Sequence, residues 1–462
     1  MTPDHKETTV VILAAGLGTR MRSKRAKVLH ETGGMALVEH VVAAARAVAP
    51  ADRMVIVTGH QAQEVEDLLA PAGVRFARQT EQKGTGHALA CARDAALASD
   101  LVMVLYGDTP LLSAATLTRL RDAQASSSAA ATLITTTLED PSGYGRVVLD
   151  RDGFVTSIVE QKACNDEQRS IRLINSGIYC FRADLLWKHL SEVQPENPAR
   201  EYYLTDLAAI LNARGHRVQP MHIEDVSELL GINTRIELAD ADRLLRRRKA
   251  DELMLCGVTI ERPETVSIDA RVRVGMDTII EPFVRLLGDT EVGEDCRIGA
   301  GSILESTTLA PGVVIKPYTI ISDSRVESKA QIGPFARVRM NAEIDADARV
   351  GNFVEVKKSR LGKGTKSQHL AYLGDAEIGD RVNVGAGTIT CNFDGEKKHE
   401  TKIGSGAFIG SNATLVAPIE IGQESYVGAG SVITDPVPEQ ALAIGRGRQV
   451  VKTDWVAKRK KK

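Results

Sequence analysis

Aliphatic residues recur at every sixth position through most of the second half of the chain, from about Val266 to Ile433. Ile268, Val274, Ile280, Leu286, Val292, Ile298 and Leu304 form one unbroken series. After a phase shift a second runs Val314, Ile320, Val326, Ile332, Val338, Ile344, Val350 and Val356. A third runs Ile403, Ile409, Leu415, Ile421, Val427 and Ile433. A helix repeats at about 3.6 residues and a half-buried strand at about 2, so neither accounts for six over this length. Glycine follows the aliphatic residue repeatedly, as in Val274-Gly275, Ile298-Gly299, Val350-Gly351 and Ile421-Gly422. A β-sandwich fits poorly, because its turn signals fall at roughly 8–12 residue intervals. One hexad cannot bury its own apolar face, so many must stack to make a core.

The pattern resembles the hexapeptide-repeat, left-handed parallel β-helix. That resemblance implies one short flat strand per hexad, three strands per triangular coil, and the aliphatic residue pointing into the prism. The small residue beside it lets the chain turn at the corner. Such solenoids also serve as purely structural domains, so the repeat speaks to fold and not to chemistry.

At 462 residues the chain is long for one core, and two or three domains are expected. Hydrophobic content of 43% and charged content of 26% are those of a soluble globular protein. A net charge of −2 argues against bulk nucleic-acid binding. No apolar run reaches membrane-spanning length, and the N-terminus is polar, unlike a signal peptide, so a cytoplasmic protein without membrane insertion is expected. Six scattered cysteines without a CxxC pair suit reduced thiols, not a disulfide scaffold or a thiolate zinc site.

The first half alternates strand and helix signals. Strands are expected at Thr8–Ala14, Met54–Thr58, Leu101–Leu105, Ala131–Thr136 and Ile178–Phe181, and helices at Leu37–Val48, Ala62–Leu69 and Gly86–Ala96. This alternation predicts an α/β domain with a Rossmann-like mixed sheet, whose ligands gather at strand C-termini. One long helix follows over Glu237–Leu255, with acidic residues early and basic ones late, a distribution that offsets the helix dipole. Its position between two architectures makes it a connector. The expected domains are 1–232, a connecting helix over 233–256, and the solenoid over 257–462 with its basic tail. The Arg246-Arg247-Arg248-Lys249 run reads as a solvated helix face, and Lys458–Lys462 as a solubilising terminus.

The first candidate site follows the first strand. In Leu13-Ala14-Ala15-Gly16-Leu17-Gly18-Thr19-Arg20-Met21, glycines let backbone N–H groups close around phosphate oxygens, and Arg20 and Lys27 add positive charge. Neither the Rossmann GxGxxG nor a Walker loop is complete. The full string with Lys27-Val28-Leu29-His30 resembles the signature of the sugar-nucleotide pyrophosphorylases, which join a sugar 1-phosphate to a nucleoside triphosphate. That family usually has Pro before the lysine, where Ala26 stands here. By the resemblance, Leu13, Ala14, Ala15, Gly16, Lys27, Gln79, Gly84, Thr85, Tyr106, Gly107 and Asp108 hold UTP, with Gln79 and the Gly84–Ala88 segment reading uracil. Gly145, Glu160, Asn175 and Asn233 hold the sugar phosphate, and Asp108 and Asn233 ligate Mg²⁺, a hard ion that takes oxygen ligands. A sugar phosphate is already an anionic nucleophile, so Lys27 and Arg20 act by positioning and charge.

The second candidate site interrupts the hexads between Arg349 and Lys398. His369 and His399 are the solenoid's two histidines, too few for the three ligands of a hexapeptide-repeat zinc site. With Gly351–Lys358, Tyr372–Asp375 and Cys391–Gly395, the strings resemble the bifunctional family of N-acetylglucosamine-1-phosphate uridylyltransferases / glucosamine-1-phosphate acetyltransferases. The resemblance covers nearly the whole chain. It implies His369 as general base, a role for which imidazole is the side chain most often used at neutral pH. Glu355 is its candidate orienter. Arg339, Lys357, Tyr372 and Asn383 match positions that hold glucosamine 1-phosphate. Ala386, Asn392, Phe393, Ser411, Ala429 and Arg446 match the acetyl-CoA side, with the Asn392-Phe393 segment also lining the sugar site. Nothing in the match makes Cys391 a nucleophile. Phe393 stands in place of the usual Tyr, Met340 in place of a common Pro, and Gln368 in place of a small residue. The family packs three prisms together, so a homotrimer is expected.

Two other readings compete. A one-activity nucleotidyltransferase with a merely structural solenoid has no need of His369 with Lys357, Tyr372 and Asn392. A non-catalytic assembly subunit has no need of Arg20, Lys27 and Asp108.

Overall fold

The computed structural model describes residues 6–96, 98–197 and 199–460. Residues 1–5 of the polar N-terminus, and Lys461 and Lys462 of the basic tail, lie outside the described residues. The chain divides into two compact units, Met1–Leu245 and Arg246–Lys462, and the division falls within the helix Arg235–Leu255.

The first unit is built on a nine-stranded mixed sheet. Its central strand, Thr8–Leu13, is buried at every position and runs parallel to Met54–Thr58 on one side and Leu101–Tyr106 on the other. Period-two alternation divides its aliphatic residues between two cores. Val10 and Ile12 pack with Val38 and Val41 on one face, Val11 and Leu13 with Leu89 and Leu207 on the other. Leu13 pairs with Val57 and with Tyr106, so the three strands end together. The glycine-rich loop, the Gly59-His60-Gln61 turn and Gly107-Asp108 therefore emerge along one sheet edge. Leu173–Arg182 runs antiparallel beyond Leu101–Tyr106, with a register shift between Asn175 and Tyr179 that brings Asn175 to the same edge.

The second unit is a three-sided parallel β-helix. Its three sheets, of eleven, ten and nine strands, pair only parallel neighbours one coil apart. We call the faces first, second and third in the order the chain visits them, beginning with Thr259–Ile260, Ser267–Ile268 and Arg273–Val274. The aliphatic residue of each hexad points inward, as the near-zero exposure of Ile280, Leu286, Ile298, Ile332, Val338 and Ile344 shows. At Gly351 the corner is so tight that a Cβ would overlap the Gln368 carbonyl oxygen.

The register corrects the sequence reading at two positions. Ile298 pairs with Ile315, and Leu304 with Ile321, because the side from Leu304 to Leu309 is one residue short. Ile315 and Ile321 are the buried pair. Val314 is half-buried and Ile320 faces out at 44% exposure. Both neighbours are aliphatic, so the six-residue count alone does not choose between them. Ser367 and Thr390 also occupy inward positions, where they interrupt the aliphatic series without interrupting the coil. The Thr390 hydroxyl is satisfied there by the Gly374 backbone, accepting from its N–H at 2.8 Å and donating to its carbonyl at 3.0 Å. Between Thr390 and Thr401 the chain leaves the coil in a loop. No helix among the described residues is long and apolar enough to cross a membrane.

Candidate functional sites in the two units

In the first unit two cavities meet at Tyr106 and Asp108. One, of about 280 Å³, is lined by Leu13, Ala14, Ala15, Gly16, Lys27, Gln79, Gly84, Thr85, Tyr106 and Asp108, together with Val28, Gln82, Ala88 and Glu201. The other, of about 350 Å³, includes Arg20, Gly145, Glu160, Asn175 and Asn233. Apart from Gly107, every residue expected at this site lines one or the other. Gly107 instead sits against Ala14, its N–H donating to the Leu13 carbonyl at 2.9 Å.

The junction is a cluster of charge. The Lys27 ammonium contacts Asp108 Oδ2 and donates to Asn233 Oδ1 at 3.0 Å, while Arg20 donates to the same Asn233 oxygen at 2.9 Å. Asn233 is fixed by the start of the long helix. Glu237 accepts from the Asn233 and Thr234 N–H groups at 2.6 and 2.8 Å, and the Thr234 hydroxyl accepts from Glu237 N–H at 3.2 Å, a reciprocal capping box. Two oxygens therefore converge on one cation. That donor chemistry fits a hard divalent ion, which takes its remaining ligands from phosphates and water.

Gln79 is buried, and its amide N–H₂ donates to the Gly84 carbonyl at 3.1 Å and lies 3.0 Å from His87 Nδ1. Asn175 donates to the Tyr179 hydroxyl at 2.8 Å and accepts from the Gly177 N–H at 3.1 Å across the bulge. Burial raises the Glu160 carboxyl above its ordinary value and Asp206 raises it further, despite a hydrogen bond from Thr205. Sequence reasoning missed Glu201 and Tyr202. This segment closes over the Gly84 loop through Gly86 N–H to Tyr202 carbonyl and Tyr202 N–H to Lys83 carbonyl, both 2.8 Å. A backbone-mediated contact leaves no residue-type signal.

On the prism most of the expected residues form two clusters at different corners. At the corner between the first and second faces, His369 stands one coil above Asn352, and its Nδ1 lies 3.1 Å from Asn352 Oδ1. Backbone bonds continue the column through Ala386, whose carbonyl accepts from Asn412, and Ser411, whose carbonyl accepts from Gly430. Arg446 closes it, donating to the Ala429 carbonyl at 2.7 Å. The candidate base and most of the acetyl-CoA positions thus share one corner.

Three of the four sugar-phosphate positions, Arg339, Lys357 and Tyr372, lie on the second face, and Asn383 stands apart from them. Arg339, Lys357 and Gly374 are register partners there. Lys357 is buried and donates to Asp375 at 3.1 Å. Asn392 also donates to Asp375 and reaches the Tyr372 hydroxyl at 3.4 Å. Asn392 therefore belongs with this cluster, while Phe393 is exposed on the loop. Asn383 begins a first-face strand, paired with Lys366 and Phe408. Burial alone would raise the Asp375 carboxyl, but Lys357 and Asn392 outweigh it and hold it below the usual range.

Two findings depart from the sequence reading. Glu355, expected to orient His369, lies on the second face, where it accepts from Arg339 at 2.7 Å, and the side chain that meets the His369 ring is Asn352. Lys398 was missed, because it sits in the loop outside the hexads. The positive charge of Lys357 pushes the Lys398 ammonium below its ordinary value, and Asp375, 3.1 Å from Lys357, opposes that shift.

Comparisons with known proteins agree with this division. Residues 10–177 match the MobA-like NTP transferase domain, and residues 271–306 and 400–435 match the bacterial transferase hexapeptide (six repeats) family. The chain is 54% identical to the bifunctional protein GlmU of Solibacter usitatus over 98% of its own length and 97% of the relative's. For the bifunctional protein GlmU of Koribacter versatilis the figures are 49%, 99% and 98%, and for that of Geotalea uraniireducens 46%, 97% and 99%. With both units matched and relatives this similar along nearly their full length, the chain belongs to the GlmU family.

Proposed function

We propose that the second unit acetylates glucosamine 1-phosphate with acetyl-CoA, and that the first unit then transfers UMP from UTP to the product. Together they yield UDP-N-acetylglucosamine and pyrophosphate. One observation carries the reading: a single chain holds both a cation cluster at the junction of two cavities and a histidine with one ring nitrogen engaged and the other free.

In the first unit the nucleotide occupies the Gly16–Gln79 cavity and the sugar phosphate the Glu160–Asn175 cavity. The sugar-phosphate oxygen attacks the α-phosphorus in line, the new P–O bond forms, and the bond to pyrophosphate breaks. Lys27 and Arg20 sit where the two cavities meet and offset the charge of both phosphates. Asp108 and Asn233 would hold Mg²⁺, which when bound offsets phosphate charge as a Lewis acid. Gln79, with its N–H₂ committed to Gly84 and His87, keeps its carbonyl oxygen for the imide N–H of uracil.

In the second unit Nδ1–H of His369 donates to Asn352, which leaves the Nε2 lone pair to take a proton from the sugar amine. The amine nitrogen attacks the thioester carbonyl, the C–S bond breaks and CoA leaves. Lys357, Lys398 and Arg339 suit a phosphate dianion.

A homotrimer completes this second site. The second face is a strand of three residues, about 10 Å long, and separates His369 from the Lys357 cluster. A neighbouring prism that sets its Lys357 corner against His369 would join them. The outer surfaces support such packing. The third face carries a charge ladder, with Arg360 paired to Asp345 and Glu377 and Arg273 to Glu291. The other faces and their shared corner expose Ile320, Ile389, Phe408, Tyr426 and a stacked column of Tyr318, Phe335 and Phe353. Six free cysteines suit a reducing cytoplasm.

Mass spectrometry of reactions holding glucosamine 1-phosphate, acetyl-CoA, UTP and Mg²⁺ tests the reading. UDP-N-acetylglucosamine is expected from the unaltered chain, no acetylation from His369→Ala, and accumulated N-acetylglucosamine 1-phosphate from Lys27→Ala. An unaltered chain that uridylylates supplied N-acetylglucosamine 1-phosphate but never acetylates reduces the prism to a scaffold.

A further inference from the structure

Lys27 opens a single 3-10 turn, Lys27–Leu29, whose preceding residue is Ala26. Ala26 is 2% exposed and lines neither cavity. That N–H has one partner, the side-chain carbonyl oxygen of Gln61, thirty-five residues away at the end of a neighbouring strand. Gln61 is held from its other side, its amide N–H₂ donating to Glu64 at 2.9 Å. Its backbone is left-handed, with φ of 51°, a region that glutamine occupies only when the surroundings impose it. The turn before it abuts the phosphate loop, since a Cβ on Gly59 would lie 2.7 Å from the Ala15 carbonyl oxygen.

These contacts make one interlock. The Gly59–Gln61 turn touches the glycine-rich loop with its first residue and grips the lysine-bearing turn with its last. We infer that Gln61 is a positioning residue for uridylyl transfer, clasping the buried Ala26 N–H and so fixing the direction in which Lys27 leaves its turn. A side chain of this length explains why the left-handed position carries glutamine and not glycine: glycine would relieve the backbone and lose the clasp. It also explains how alanine serves before Lys27. Ala26 has φ of −55°, which proline would fix unaided, and proline would remove the N–H that needs a partner. Gln61 supplies from outside the restraint that a ring would supply from within.

The inference rests on the proposed role of Lys27, and the test separates the two. Uridylyl-transfer kinetics on the full-length protein with UTP and N-acetylglucosamine 1-phosphate are compared for Gln61→Ala, Gln61→Gly, Gln61→Ala/Ala26→Pro and Lys27→Ala. The acetyl transfer of each preparation serves as the control for folding. Both single Gln61 variants should lose between about ten- and a hundredfold in kcat with little change in KM for UTP, as expected for a charged group displaced by about 1 Å. The double variant should recover to within about threefold, and acetyl transfer should be unchanged throughout. A Gln61→Gly enzyme as fast as the unaltered one would show that position 61 matters through its backbone alone and overturn the proposal. A double variant as slow as Gln61→Ala would overturn it too. If Lys27→Ala itself keeps full activity, the reading of the site fails, whatever the Gln61 variants do.

Discussion

The two sites are closed in opposite ways. In the first unit, residues as distant as Lys27, Asp108 and Asn233 converge within one chain, because three parallel strands end at one edge and a helix cap is fixed beside them. In the prism, parallel coils stack like with like, so each corner collects one column. His369 rises above Asn352, and Lys357 above Arg339, and the columns never bend toward each other. An open sheet edge gathers unlike residues. A solenoid gathers the same position of successive coils, and a site that needs two columns needs a second prism.

The sharpest way to break this contrast is complementation. His369→Ala and Lys357→Ala chains, each inactive in acetyl transfer, should regain about a quarter of full activity when refolded or co-expressed together at equal amounts. The fraction follows because half the His369 corners are intact and half of these meet an intact Lys357 corner in a cyclic trimer. A Lys27→Ala and Asn233→Ala mixture should regain no uridylyl transfer. Recovery in the second mixture, or none in the first, would reverse the assignment of which site is shared.

Next in size is Lys27 itself. Its removal takes one preorganised cation from the phosphates, at a cost of roughly 3 kcal/mol, or on the order of a hundredfold in kcat. Acetyl transfer on the same preparation should be untouched, because no residue of that turn belongs to the prism. A parallel loss of both activities would mean that the substitution unfolds the chain.

A third test concerns how the coil is read. Ile315→Ala should cost about 2–4 kcal/mol of unfolding free energy in the second unit, and Val314→Ala less than about 1 kcal/mol. Denaturant titration of the two variants decides it, and equal costs would restore the six-residue count. The ambiguity shows where the sequence is silent. Contiguous motifs such as Leu13–Met21 were legible because the strand and its loop are adjacent in the chain. The inward phase after Leu304 was not, since Val314-Ile315 and Ile320-Ile321 offer an aliphatic residue in either register. Glu355 was expected beside His369 from the resemblance, which carries no register. Within a coil of seventeen or eighteen residues, the true neighbour lies one coil back at Asn352. Lys398 and Tyr202 lie in segments whose placement is set by backbone bonds and loop geometry, which no residue pattern announces.

The smallest expected effect separates the two sites by pH. Glu160, in the sugar cavity of the first unit, has its carboxyl raised by burial and by Asp206. A carboxyl raised in the folded state favours folding below its unfolded pKa and loses that contribution as pH rises through the folded value, so ionised Glu160 is a strain at neutral pH. Asp375 has the opposite sign. Burial opposes its charge, but Lys357 and Asn392 hold it low, so its contribution is present at neutral pH and is lost as pH falls through its depressed folded value. Acidification should therefore protonate the sugar cavity of the first unit while the Lys357 cluster is still intact. KM for N-acetylglucosamine 1-phosphate should begin to rise at a higher pH than KM for glucosamine 1-phosphate does. Glu160→Gln isolates the cause. At neutral pH it should raise the thermal midpoint of the first unit, because a neutral amide ends the strain, and weaken sugar-phosphate binding by on the order of tenfold through loss of a charged acceptor. Asp375→Asn should lower the midpoint of the second unit, because it leaves the buried Lys357 ammonium without its carboxylate. If both substitutions moved stability in the same direction, the opposite electrostatic poise of the two sites would be disproved.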